Sequence, residues 1–177
     1  MQSKIIVITG SSSGVGLTLA NYFHDKGHQV YGLSRTAKGL EKFKHIATDV
    51  SDKENVKRSF QQIFSETNNQ IDVLINNAGI GMLGAVEDAS KADIEKLLEV
   101  NVYGPIYTMQ EVLPTMRAQK NGYILNVSSI ASNNGLPFRG YYSASKAMID
   151  RLIESARLEN RHTGGENGTV EFGGSKK

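Results

Sequence analysis

Residues 141–150 read YYSASKAMID, two tyrosines with a lysine four positions after the second. A phenol can give or take a proton at a reacting oxygen. Unassisted, with a pKa of about 10, it stays protonated at neutral pH, and a cation held beside it favours the phenolate. Lys146 follows Tyr142 by one helical turn on the same face, whereas its five-residue separation from Tyr141 puts that pair on different sides. Tyr142 and Lys146 are therefore the candidate acid/base pair. The same letters also describe the start of an amphipathic helix, since Tyr and Lys are common on helix surfaces. The rest of the chain has to decide between the two.

A second stretch, TGSSSGVG at 9–16, places Gly10, Gly14 and Gly16 between an apolar run and a helical pattern. A turn of residues without a β-carbon lets the backbone approach a pyrophosphate and aim N–H groups from the positive end of the next helix. Ser12, Ser13 and Val15 belong to the same turn. The spacing differs from G-x-G-x-x-G, and three glycines after a strand can also serve as a plain turn. At the end of the second apolar run the chain reads GLSRTAK, with no Asp or Glu. A carboxylate there would accept a ribose 2′-hydroxyl, whereas Ser34 and Arg35 suit a 2′-phosphate, which favours NADP(H) over NAD(H). The bland alternative is a solvent-facing arginine.

Five short apolar runs, 5–8, 29–33, 45–48, 73–75 and 124–127, alternate with stretches of helical period. That alternation predicts an α/β fold, a doubly wound parallel sheet of Rossmann type with helices on both faces. Val15, Leu19 and Phe23 are expected to face the sheet from the first helix, and Val56, Phe60, Ile63 and Phe64 from the second. Residues 90–119 form a long helical region with Gly104-Pro105 as an irregularity inside it. The last helix begins near Tyr142 and carries the stripe Ile149, Leu152, Ile153 and Ala156.

The chain has 177 residues, enough for one domain, and 20 basic against 18 acidic side chains give no broad footprint for nucleic acid or an anionic membrane. Without cysteine it has no disulfide, thiolate metal site or thiol nucleophile, and its four scattered histidines suggest no metal site. No secretory leader or spanning segment is visible, so a cytoplasmic protein is expected and the Asn126 and Asn167 sequons read as accidental.

Taken together, TGSSSGVG, NNAG at 76–79, Asn101, NVSS at 126–129 and YSASK at 142–146 resemble the short-chain dehydrogenase/reductase family in order and relative position, from Lys4 to about Leu158. The resemblance implies NAD(P)-dependent interconversion of a carbonyl and an alcohol, usually by a homo-oligomer. Tyr142 matches the family's acid/base and Lys146 its partner, and both would also contact the cofactor. Ser129 matches the serine that holds the substrate oxygen, with Ser128 left to cap its own backbone, and Asn101 matches the residue that positions a water on a proton path to the lysine. Asn77, Ala78 and Gly79 would lie against the cofactor, Asp49 would contact adenine, and Asn76 would tie neighbouring strands. The resemblance implies a small carbonyl or alcohol as substrate. Gly135 to Phe138 would line the pocket and suggest an apolar portion in the substrate, and a loop apolar for packing reasons would read the same.

The family's chain normally continues into two further strands and a substrate-binding region. Here residues 1–158 read as the dinucleotide-binding domain, and 159–177, ENRHTGGENGTVEFGGSKK, as an atypical flexible tail. The expectation is a truncated member whose fifth strand is an apolar edge. A nucleotide-binding or partner-binding module impaired in catalysis is then the alternative to an active enzyme.

Overall fold

The structure is a computed structural model, and it describes residues 2–160 together with the backbone of 170–173. His162 and the Asn167 sequon lie outside the described residues. In chain order the strands are β1 (Ile5–Thr9), β2 (Gln29–Ser34), β3 (Lys44–Ala47), β4 (Val73–Asn76), β5 (Gly122–Asn126) and β6 (Val170–Gly173). The helices are α1 (Gly14–Asp25), α2 (Lys53–Thr67), α3 (Lys91–Leu98), α4 (Gly104–Gln119) and α5 (Gly140–Glu159). The first five strands lie within two residues of the apolar runs that predict them. All pairings are parallel, in the order β3-β2-β1-β4-β5-β6.

Alternation along each strand divides the core between the two faces. Val7, Tyr31, Leu33, Leu74 and Ile124 face one layer, where α2, α4 and α5 bring Phe60, Ile63, Val112, Met116 and Ile149. Ile6, Ile8, Val30 and Ile75 face the other, closed by Ala20 with Leu17, Leu19 and Phe23 of α1. A doubly wound sheet buries both its faces in this way, which is why its strands read as near-continuous apolar runs. Among the described residues, no helix is long and apolar enough to cross a membrane.

Three expectations change. The buried face of α1 centres on Gly16 and Ala20, while Val15 is 61% exposed; small residues let the helix close on β1, and Val15 at its first turn points away. On α5, Ile149 and Ile153 are buried and Leu152 is exposed, so the stripe is narrower than predicted. The segment read as a tail is not outside the sheet, because α5 runs through Glu159 and Val170–Gly173 pairs with β5 from Gly122↔Val170 to Leu125↔Gly173. An edge strand offers a row of unpaired N–H and C=O groups, and β6 satisfies those of β5. The expected bare edge at β5 is thus corrected.

The irregularity expected at Gly104-Pro105 is a π-helical segment, Glu99–Tyr103, between α3 and α4. Pro105 has no N–H for the carbonyl four residues back, and the Gly104 amide bonds the carbonyl of Glu99, five back.

The strand ends on the site side are joined by a buried polar bridge. The Asn76 side-chain amide donates to Asn126 Oδ1 at 2.9 Å, and Thr108 of α4 donates to Asn76 Oδ1 at 2.7 Å. Asn76 thus ties β4 to β5 and to α4. Asn76→Ala leaves the buried Asn126 amide oxygen without its donor, while the Thr108 hydroxyl keeps the Pro105 carbonyl, at a cost of about 1–3 kcal/mol. The expected result is a urea midpoint lower by about 1 M; an unchanged midpoint would show that the bridge carries no stability.

Candidate functional site

The sheet's carboxyl ends open on a cleft of about 970 Å³. It is lined by Gly10, Ser12 and Ser13 after β1, Ser34 and Arg35 after β2, Asp49 after β3, and Asn77 to Gly79 after β4. Nine of the residues assigned to a cofactor from the sequence therefore share one cavity. Gly14, Val15, Gly16, Tyr142 and Lys146 do not line it. Lys38, Thr48, Val50, Ile80, Lys96 and Glu99 also line it without a sequence signal that singles them out.

The glycine turn is shaped by a close approach to the segment after β4. Gly10 has φ +68°, and a β-carbon on it would sit 2.8 Å from the Ala78 backbone. One on Gly16 would sit 2.5 Å from the side-chain nitrogen of Asn77. Thr9, which the sequence reading passed over, holds the two segments together: its hydroxyl oxygen accepts from the amides of Asn77 and Ala78, both at 3.0 Å. The Asn77 side chain returns the contact by donating to the carbonyls of Thr9 and Gly10. The signal available was a hydroxyl residue at the carboxyl end of the first strand. At the start of α1 the Ser13 side chain does not cap, and the first turn has no acidic residue. The leading amides are thus not claimed by a side chain of their own helix.

At the other rim the Ser34 hydroxyl is buried, donating to the Thr36 carbonyl at 3.2 Å and lying 2.8 Å from His45 Nε2. Arg35 and Lys38 are exposed. Asp49 Oδ1 accepts from the Ser51 amide and hydroxyl, and Asp52 is the residue that caps α2, accepting from the Asn55 amide.

Beyond Gly79 lies the second group of residues. Asn101, buried in the π-helical segment, accepts from the Ile80 amide at 2.8 Å and donates to the Ile80 carbonyl at 2.9 Å and to Ser145 Oγ at 3.2 Å. These bonds are the compensation that an Asn inside a helix requires. Asn101 Oδ1 and Lys146 Nζ converge on Gly79, at 3.4 and 3.6 Å from where its β-carbon would be. Lys146, 7% exposed, donates to the Val127 carbonyl at 2.9 Å, and its nitrogen is 6.0 Å from the Tyr142 ring centre. Burial pushes the Lys146 ammonium below the ordinary lysine value of 10.5, and the charge of Asp150 opposes the shift.

The two tyrosines part company here. Tyr141 donates its hydroxyl to the Val86 carbonyl at 3.0 Å, whereas the Tyr142 hydroxyl has no partner among the described residues. The serines also differ from expectation. Ser129, not Ser128, is the backbone cap, its oxygen accepting from the Ala131 amide at 3.2 Å ahead of the short 3₁₀ turn Ile130–Ser132. Its hydroxyl proton has no acceptor among the described residues. Ser128 instead donates to Asp150 Oδ2 of α5 at 2.9 Å.

A family model described as short chain dehydrogenase matches residues 4–171. A 3-ketodihydrosphingosine reductase of Bacteroides thetaiotaomicron is 40% identical over 160 residues, covering 90% of this chain; the chain spans 59% of that relative's length. A short-chain dehydrogenase from Streptomyces avermitilis superposes with a TM-score of 0.89 at 28% identity, covering 97% of this chain and 64% of the other. A metagenomic short-chain oxidoreductase solved in complex with NADP gives a TM-score of 0.87 at 26% identity, covering 98% of this chain and 82% of the other. With its motifs in order along a sheet of this topology, the chain belongs to the short-chain dehydrogenase/reductase family of oxidoreductases.

Proposed function

We propose that the protein interconverts a carbonyl and a secondary alcohol with NADP(H), and that Tyr142 moves the proton. The observation that carries this reading is the division of labour on α5. Tyr141 spends its hydroxyl on Val86, while Tyr142 keeps its own beside the buried ammonium of Lys146. When bound, the nicotinamide supplies or accepts the hydride. Tyr142 gives its proton to the carbonyl oxygen in reduction and takes one back in oxidation. The Lys146 charge offsets the negative charge left on the phenol oxygen. Ser129 donates its free hydroxyl proton to the substrate oxygen and orients it. Asn101, held by the Ile80 backbone, fixes the segment after Gly79 against Lys146 and holds a water on the proton path.

The residues present fit the cofactor. Gly10 and Gly16 leave no room for a side chain where the backbone turns, and Gly10, Ser12 and Ser13 of that turn line the cleft. Uncapped amides at the start of α1 suit a pyrophosphate. Arg35 and Lys38 offer the 2′-phosphate two cations at the rim, with Ser34 beneath them. The neighbour solved with NADP supports the choice, and the relative named as a keto reductase supports reduction as the working direction. Leu83 and Val86 on one loop and Ile130 and Phe138 on another expose apolar side chains, and the Gly84 amide bonds the Phe138 carbonyl between them. These loops support a substrate with an apolar portion.

The test is to titrate NADPH and NADH by fluorescence and then assay a panel of ketones and secondary alcohols. Tyr142→Phe should lower turnover by about 10²- to 10⁴-fold and change NADPH affinity far less. Turnover equal to wild type would remove Tyr142 from proton transfer. Binding of NADPH without turnover of any substrate would favour a nucleotide-binding module, a reading supported by the openness around Ile130, which is 84% exposed.

Arg35→Ala should weaken NADPH binding by about tenfold or more and leave NADH binding as it was, because a charge-assisted contact is worth roughly 1.5–3 kcal/mol. Equal losses for both cofactors would refute a 2′-phosphate contact.

Lys146 gives a prediction that needs no turnover. Its folded pKa is lowered from 10.5. Between that lowered value and 10.5 the unfolded chain binds more protons than the folded one, so stability rises with pH across this window. Lys146→Met carries no such proton. Urea unfolding at neutral pH and again at about pH 10 should show wild type gaining on the variant as pH rises. A gap that stays constant would mean that the ammonium is not depressed by burial.

A further inference from the structure

Two side chains of α5, one turn apart, reach back to the loop that leaves β5. Lys146 Nζ donates to the Val127 carbonyl, and Asp150 Oδ2 accepts from the Ser128 hydroxyl, each at 2.9 Å. They hold consecutive residues, and the next residue is Ser129. On its far side the Ser132 hydroxyl donates to the Ser129 carbonyl at 2.8 Å and lies 3.4 Å from Ser128 Oγ. Ser129 is thus fixed from before and behind. Lys146 has a part in the proposed proton chemistry; Ser128 and Asp150 have none.

We infer that Ser128 and Asp150 are positioning residues, whose hydroxyl–carboxylate bond sets the distance between Ser129 on the loop and Tyr142 on α5. The covalent path between these two residues is the loop 130–139, in which 133–139 are exposed. A ketone oxygen must meet both hydroxyls at once, and a misplacement of about 1 Å can cost about 100-fold in rate. A cross-link from α5 to the residue preceding Ser129 removes that freedom. The bond is charge-assisted, and both partners are partly buried, which shields it from water and salt. The Asp150 charge also acts on Lys146 one turn away, opposing the effect of burial on the ammonium. The catalytic consequence rests on the proposed function, but the clasp itself does not.

The test uses the full chain with Ser128→Ala, Asp150→Ala, the double variant and Asp150→Asn, whose side-chain oxygen still accepts from Ser128. Amide hydrogen exchange is followed at Ala131 and Ser132, whose N–H groups bond Ser129. Both alanine variants should exchange there about tenfold faster or more, the double variant no faster than either, and Asp150→Asn close to wild type. Exchange at β1 serves as the control. On a ketone that wild type reduces, kcat should fall about 10- to 100-fold in both alanine variants with NADPH affinity unchanged, and Asp150→Asn should recover most of it. Unchanged exchange at Ala131 and Ser132, additive effects in the double variant, or acceleration that extends to β1 would each overturn the inference. Failure of Tyr142→Phe to alter turnover would sink the proposed function and leave the exchange result standing.

Discussion

The site depends on how closely two stretches of backbone approach at the carboxyl end of the sheet. The turn after β1 lies against the segment after β4 with no room for a β-carbon at Gly10 or Gly16. The backbone amides of Asn77 and Ala78 are satisfied there by the Thr9 hydroxyl, and the carbonyls of Thr9 and Gly10 by the Asn77 side chain. Without that contact the cleft has no floor, and Gly79, on which Asn101 and Lys146 converge, has no fixed place. A glycine at these two points is a steric requirement, and the polar bonds around it explain why the approach costs little.

The same logic extends outward from Gly79. A buried cation is expensive, and Lys146 is tolerated because its nitrogen has a carbonyl to bond and a carboxylate one turn along. An Asn in mid-helix is unfavourable, and Asn101 is tolerated because the π-helical segment aims it at both backbone groups of Ile80. In both cases a group that looks costly alone is held by backbone belonging to a different element, so the two halves of the site brace one another.

Much of this was legible in the sequence, and what was missed was missed for physical reasons. The first five strands and both faces of the core follow from apolar runs, because a sheet covered on both sides needs them. The pairing of Tyr142 with Lys146 follows from helical spacing. The Val15 and Leu152 assignments failed because periodicity fixes a face only to within a residue; at Gly16 and Ala20 the closest contact is made by residues too small to register as hydrophobic. The cap at Ser129 and the bond from Ser128 to Asp150 could not be separated in advance, since adjacent serines at a strand end are equivalent until the helix opposite is placed. Residues 170–173 join the sheet although their neighbours carry little apolar content, because an unpaired strand edge recruits backbone and asks little of side chains.

The parallel register also puts a clock on the ribosome. β1 is a central strand, and its partners are β2, about twenty-four residues later, and β4, near residue 75. At a synthesis rate of about 5–20 residues per second, the apolar face of β1 waits several seconds for its second neighbour. During that interval Val7 and Ile8, among the most deeply buried side chains of the finished protein, have no complete sheet to enter. The nascent chain therefore carries these side chains uncovered before the segment after β4, which completes the cleft, has been made.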